Sequence, residues 1–210
     1  MKPVIFHVEA AGEFRPVEFA FATESEVRRV RAWRKMTPAS DAGEFAALAA
    51  KRWFYYIARE GATVASLDEL RAAFKRNDRA ELAFLMVASA EWANRYKFLA
   101  LAYCRRTWCH HLILDFLAVR PGVSFANQPI RGLGTGMIFG LSTLADDLGM
   151  GRIWGEATAS SAPFYEKVLR IRSVQDSFII RQRKMRQVRE RYVAKIKRRL
   201  AGPEFQMHYC

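Results

Sequence analysis

Between Leu112 and Leu169 the chain runs LILDFLAV (112–119), RGLGTG (131–136), IWGEAT (153–158) and SSAPFYEKVL (160–169), and the fold is read from this succession. The first segment is an apolar run of strand length. After a loop, RGLGTG opens a stretch in which Met137, Ile138, Leu141, Leu144, Ala145 and Leu148 recur at helical spacing, until Gly149 and Gly151 stop it. A glycine-rich turn at a helix N-terminus gathers unpaired N–H groups at the positive end of the helix dipole, and so suits an anion. Glycine lets a diphosphate approach the main chain, and Arg131 adds a forked guanidinium donor. The turn is not a P-loop, because no Lys-Ser/Thr pair follows its last glycine. It is not a dinucleotide fingerprint either, because Gly132, Gly134 and Gly136 fall at every second residue. An isolated turn of this kind also serves simply to pack a helix close to a strand.

Working outward, Val4–Val8 and Phe14–Phe21 read as short strands about the Gly12 turn. Thr23 is placed to cap a helix from Glu24 to about Lys35, with Pro38 beyond its end. Asp41 is expected to cap a longer helix that stops at Gly61. Phe45, Leu48, Ala49, Arg52, Trp53, Tyr56 and Ile57 would share its face. Ser66 starts a short basic helix, Leu67 to Lys75. Leu82–Val87, Lys97–Tyr103 and His111–Val119 follow as three apolar runs separated by polar turns, the pattern of a meander. Downstream, Arg152–Ala157 is a strand, Ala162–Leu169 a helix and Phe178–Arg183 a last strand. A closing helix carries Met185, Val188, Tyr192, Ile196 and Leu200 as one apolar stripe. Such an order predicts an α/β (α+β) protein built around one mixed sheet.

In this order the segments resemble the GNAT superfamily of N-acetyltransferases. Arg131, Gly134 and Gly136 meet that family's Q/R-x-x-G-x-G/A signature. Glu156 to Lys167 resembles its second acetyl-CoA motif, with Tyr165 just before Glu166-Lys167. The resemblance implies a mostly antiparallel sheet whose central strand splays from its neighbour. It implies acetyl-CoA as co-substrate and direct acetyl transfer to a primary amine. It places the pantetheine arm along Leu117, Ala118 and Val119. The pyrophosphate falls on Arg131, Gly132, Leu133, Gly134, Thr135 and Gly136, with Met137 at the helix start. Ser160, or Thr158, stands where relatives carry an asparagine on the pantetheine. Tyr165 matches a tyrosine near the thioester sulfur that protonates the leaving thiolate. The position of the family's glutamate base aligns with Ile113, so Asp115 and Glu156 are the foremost candidates, ahead of His110 and His111. Residues 1–183 would form the transferase domain, with 1–80 on the acceptor side and 81–183 as the acetyl-CoA core. Residues 184–210 would be an added basic helix and tail. No metal is expected.

The 210 residues carry 34 Lys+Arg against 21 Asp+Glu, a net charge of +13, and the excess is concentrated at the end. From Arg170 onward there are 12 basic and 3 acidic residues. Such a segment attracts polyanions, so nucleic acid is one expected partner of the basic helix. A homodimer through that helix is another. The three cysteines, Cys104, Cys109 and Cys210, cannot all pair within one chain. With no signal-peptide pattern and no apolar run near the ~20 residues of a membrane span, the expectation is a cytoplasmic protein. Beside acetyl transfer stand two alternatives on the same fold: a non-catalytic acyl-CoA-binding or nucleic-acid-associated module, and a transferase using a longer acyl donor.

Overall fold

Seven strands form one sheet in the order in which they occur in the chain: β1 (Val4–Ala10), β2 (Glu13–Phe21), β3 (Leu82–Ser89), β4 (Phe98–Arg106), β5 (Leu112–Val119), β6 (Arg152–Glu156) and β7 (Ser177–Arg181). Six helices flank them: α1 (Glu24–Arg31), α2 (Asp41–Ala58), α3 (Leu67–Arg76), α4 (Leu133–Asp147), α5 (Ala162–Leu169) and α6 (Gln182–Leu200). The computed structural model describes residues 4–36, 40–59, 63–123 and 129–201, with residues 94–96 described by backbone alone. Pro38, Gly61 and Cys210, to which the sequence reading gave roles, lie outside the described residues.

All neighbouring strands are antiparallel except β5 and β6, so the sheet is mixed and mostly antiparallel. The parallel step exists because α4 lies between β5 and β6 and supplies the crossover that a parallel connection needs. The β1–β2 hairpin turns through Ala11 and Gly12, both at positive φ (53° and 80°). The expected meander is β3–β4–β5.

Two apolar layers cover the sheet. On one face α4 and α6 pack with Phe6, Phe19, Phe84, Leu114, Ile153 and Phe178. On the other, α1 and α2 pack over Leu85, Val87, Leu101 and Tyr103. Helix α2 departs from expectation in two ways. Its cap residue is Ser40, and Asp41 is the first helical residue. Its buried face is Gly43, Ala46, Ala49, Ala50 and Trp53, whereas Leu48 and Ile57 are 44% and 38% exposed. Small residues win the inward face because they let the helix approach closely: a Cβ on Gly43 would lie 2.9 Å from the Trp33 carbonyl oxygen. Helix α3 is capped as expected. Ser66 Oγ accepts from Glu69 N–H (3.1 Å), and the Glu69 carboxylate accepts from Ala65 N–H (2.8 Å).

Helix α6 docks through Met185, Val188, Tyr192 and Ile196, while Leu200 is 58% exposed. Tyr192 Oη also donates to the His7 carbonyl (2.7 Å) and accepts from His7 N–H (2.9 Å), tying α6 to β1. Burying four such side chains stabilises the docked helix by roughly 1.5–3 kcal/mol each, as an upper bound.

A candidate active site at the parting of β5 and β6

Pairing between β5 and β6 covers only Leu112 with Ile153, Ile113 with Trp154 and Leu114 with Gly155. Beyond Leu114 the two strands separate. On its other side β5 stays joined to β4, but the register skips one residue: Tyr103 faces Phe116 and Cys104 faces Leu114, leaving Asp115 as a bulge. A bulge bends its strand and sharpens the local twist, which turns the C-terminal half of β5 away from β6. Leu117, Ala118 and Val119 therefore pair with β4 and have no strand partner toward β6 among the described residues.

A cavity of about 490 Å³ occupies this parting. Leu117, Tyr165, Glu156, Thr158, Asp115 and, from α2, Phe45 are among its lining residues. Tyr165 is 5% exposed and stacks on Phe178 (centroids 4.1 Å apart), with Phe164 edge-on at 5.0 Å. Burial pushes its hydroxyl well above the usual tyrosine range, so it stays protonated at neutral pH. The Tyr165 hydroxyl has no hydrogen-bond partner among the described residues.

Asp115 and Glu156 differ sharply. Arg105 grips Asp115 with two bonds (Nε–Oδ2 2.7 Å, Nη2–Oδ1 2.9 Å), and Arg52 of α2 approaches at 3.3 Å. The Asp115 carboxylate, 11% exposed, raises the Arg105 guanidinium above its ordinary range through those bonds. With both carboxylate oxygens engaged by guanidinium groups, Asp115 is a clamp for the bulge. Glu156, the last residue of β6, is exposed, and its carboxylate has no partner among the described residues. Asp176, also exposed and also lining the cavity, stands near it, because Glu156 pairs with Ser177. Asp176 escaped the sequence reading: nothing local marks it, and only β6–β7 register brings it here.

At the glycine turn, Gly132 caps α4 in the left-handed region (φ 95°), and Gly136 N–H bonds to Gly132 C=O (2.8 Å). Arg131 is fixed to β1 by a reciprocal pair with Glu9 (N–H to C=O 2.8 and 3.0 Å). The helix start thus leaves the amides of Leu133, Gly134 and Thr135 without intrahelical partners. The amides of Arg131 and Gly136 are already taken, and Met137 is fully buried a turn inside the helix. The glycines also answer to packing. A Cβ on Gly134 would sit 2.9 Å from the Phe164 ring, and one on Gly136 would sit 2.2 Å from the Phe6 ring. Ser160 is exposed in the turn before α5, where its Oγ lies 2.9 Å from Thr158 Oγ1.

The remaining candidates lie elsewhere. His110 is held by the Leu148 carbonyl (3.0 Å) and Arg106 (3.3 Å) at the opposite end of β5, and His111 stacks on Trp154. Cys104 is buried and Cys109 exposed, both as free thiols. Among the described residues no cluster of three His, Cys, Asp or Glu side chains could hold a metal, and no helix is long and apolar enough to cross a membrane.

Sheet order, a single parallel pair that parts after three residues, and a glycine turn opening the crossover helix define the topology. The fold is GNAT-like. Solved structures that resemble this chain include a GNAT-family acetyltransferase of Staphylococcus aureus Mu50, at 8% identity over 79% of this chain and 99% of that one, with TM-score 0.43. A spermidine N-acetyltransferase chimera from Vibrio cholerae matches at 12% identity over 81% and 98%, with TM-score 0.46. Nourseothricin acetyltransferase matches at 17% identity with TM-score 0.33, over 40% of this chain and 48% of that chain, so the match spans about half of that protein. No family model matches the sequence, and no curated protein does.

Proposed function

We propose that the protein is an N-acetyltransferase that moves an acetyl group from acetyl-CoA to a primary amine within a ternary complex. The observation that carries this reading is the unpaired edge of Leu117–Val119 beside the Tyr165 cavity. An amide-bearing arm such as pantetheine would extend β5 by main-chain hydrogen bonds, as an added strand does. The diphosphate would rest on the free amides of Leu133, Gly134 and Thr135, with Arg131 beside them. The residues present fit acetyl-CoA in both respects: a strand edge for the arm and unpaired donors for the anion.

The amine attacks the thioester carbonyl, a tetrahedral oxyanion forms, and thiolate leaves. Holding donor and acceptor together supplies much of the rate. Tyr165, kept protonated by burial, is suited to give its proton to the leaving sulfur. Glu156 is the better base, directly or through a water, because Asp115 is bound by two guanidinium groups. Glu156 and Asp176 together make the acceptor end anionic, which attracts an ammonium group.

The first test is thermal unfolding with and without acetyl-CoA, with free CoA and a long-chain acyl-CoA for comparison. Saturation at a hundred times Kd adds about 2.7 kcal/mol. For a chain of this size that raises Tm by roughly 5–10 °C. Thiol release with an amine panel then tests turnover. No shift with any of the three ligands removes the reading.

A further inference from the structure

The outer face of β6 and β7 carries two opposite charge poles with an apolar band between them. Arg152 pairs with Arg181, Trp154 with Ile179 and Glu156 with Ser177, while Ile113 on β5 lies beside Trp154. The alternating residues Ile153, Gly155, Phe178 and Ile180 are buried on the inner face, so the first set faces outward. Trp154 and Ile179 are 42% and 41% exposed. Helix α2 covers this side of the sheet only as far as Phe116, on which Phe45 stacks. The side chains of Arg152, Arg181, Glu156 and Asp176 form no ion pair or hydrogen bond among the described residues. The distribution is therefore a cationic end at Arg152 and Arg181, an apolar middle, and an anionic end at Glu156.

We infer that this face is a homodimer interface. Charge complementarity selects a second copy as the occupant. A two-fold axis lying in the interface, across the strands at the level of Trp154, exchanges the two ends of each strand while keeping β6 over β6. Arg152 of one copy then meets Glu156 of the other, Arg181 lies over Ser177, and the Trp154–Ile179 bands meet each other. The poles are four residues apart on β6, about 13 Å, and facing sheets pack about 10 Å apart, so the pairs are within reach of arginine side chains. An axis along the strands would set arginine over arginine, and that repulsion fixes the orientation. Because Glu156 also borders the β5–β6 cavity, the dimer holds it in an ion pair with the second copy's arginine, and the carboxylate is free to act as the proposed base in the monomer. The dimer does not depend on the acetyl-transfer reading.

Sedimentation equilibrium of the full chain over a concentration series tests it. The expected mass rises from one 24.1 kDa chain to twice that value. Arg152→Glu and Glu156→Arg are each expected to weaken dimerisation about tenfold or more. The combined variant exchanges the two charges of β6 and leaves Arg181 in place, and it is expected to recover dimerisation to within about threefold of the original. Trp154→Asp should leave a monomer whose circular dichroism and Tm match the parent, since the position is on the surface. A chain that stays monomeric up to about 100 μM overturns the proposal. So does a dimer untouched by Trp154→Asp and Arg152→Glu, which would put the interface elsewhere, or a charge exchange that fails to restore it.

Discussion

At the scale of single residues, the site turns on what each polar group already touches. Tyr165 sits in an aromatic nest with no acceptor for its hydroxyl among the described residues, and burial keeps it protonated. Under the proposed chemistry, Tyr165→Phe is expected to lower kcat about 10²-fold while changing KM for acetyl-CoA less than about twofold. Steady-state kinetics with varied donor separates the two. Gly136 tests the packing side of the glycine turn. A methyl group there would meet the Phe6 ring at 2.2 Å, so Gly136→Ala should destabilise the fold by about 1–3 kcal/mol. Urea unfolding measures that loss with no ligand present.

At the scale of elements, the parting of β5 and β6 is maintained by a clamp spread over β4, β5 and α2. Arg105 reaches Asp115 from β4 and also contacts Glu81 (2.9 Å), and Glu81 in turn accepts from Tyr56 of α2 (2.8 Å). Arg52, also on α2, completes the enclosure and lies over the Phe116 ring at 4.9 Å. Removing Arg105 strands a carboxylate that is only 11% exposed. Arg105→Ala should cost about 2 kcal/mol, at the low side for a buried pair because Arg105 is partly solvated. Arg105→Lys should recover only part of this, because an ammonium cannot make the bidentate grip. Denaturant midpoints of the two variants check the order, and weaker acetyl-CoA binding should accompany the loss of the bulge geometry.

At the scale of the whole molecule, three buried tyrosines link stability to alkaline pH. Tyr192 is pushed up to about 12 by burial, and Tyr103 and Tyr165 are pushed higher by the same cause. Their folded values exceed the ordinary value near 10. The stabilisation is therefore complete below pH ~10 and is lost above it, as the unfolded chain sheds protons first. For Tyr192 the loss levels off near pH 12; for the other two it continues. Each group contributes at most about 1.4 kcal/mol per pH unit within its window. Urea unfolding at pH 9 and 11.5 should show a lower midpoint at the higher pH. The same tyrosine Tyr192 ties the basic helix to β1, so α6 should be released with the rest of the fold rather than before it.

Element order was legible in the sequence because helical and strand periodicity are properties of neighbours along the chain. The α4 stripe from Met137 to Ala145, the β3–β4–β5 meander and the Ser66 cap could all be read that way. The glycine turn and the Tyr165 segment were legible as motifs. The α2 face was legible in part: Ala49 and Trp53 turn inward as read, whereas Gly43, Ala46 and Ala50 do so because of the close approach of neighbouring elements rather than hydrophobicity. The site's electrostatics were not legible either. Asp115 stood beside Glu156 as a candidate base, and only the tertiary structure sets Arg105 and Arg52 on its carboxylate. Asp176 joined the cavity only through β6–β7 register, and the charge poles on the outer face exist only once two strands lie side by side. Composition and spacing determine which elements form, since those preferences are local. Which carboxylate is free and which strand edge stays open depend on contacts between residues far apart in the chain, and only the tertiary structure decides them.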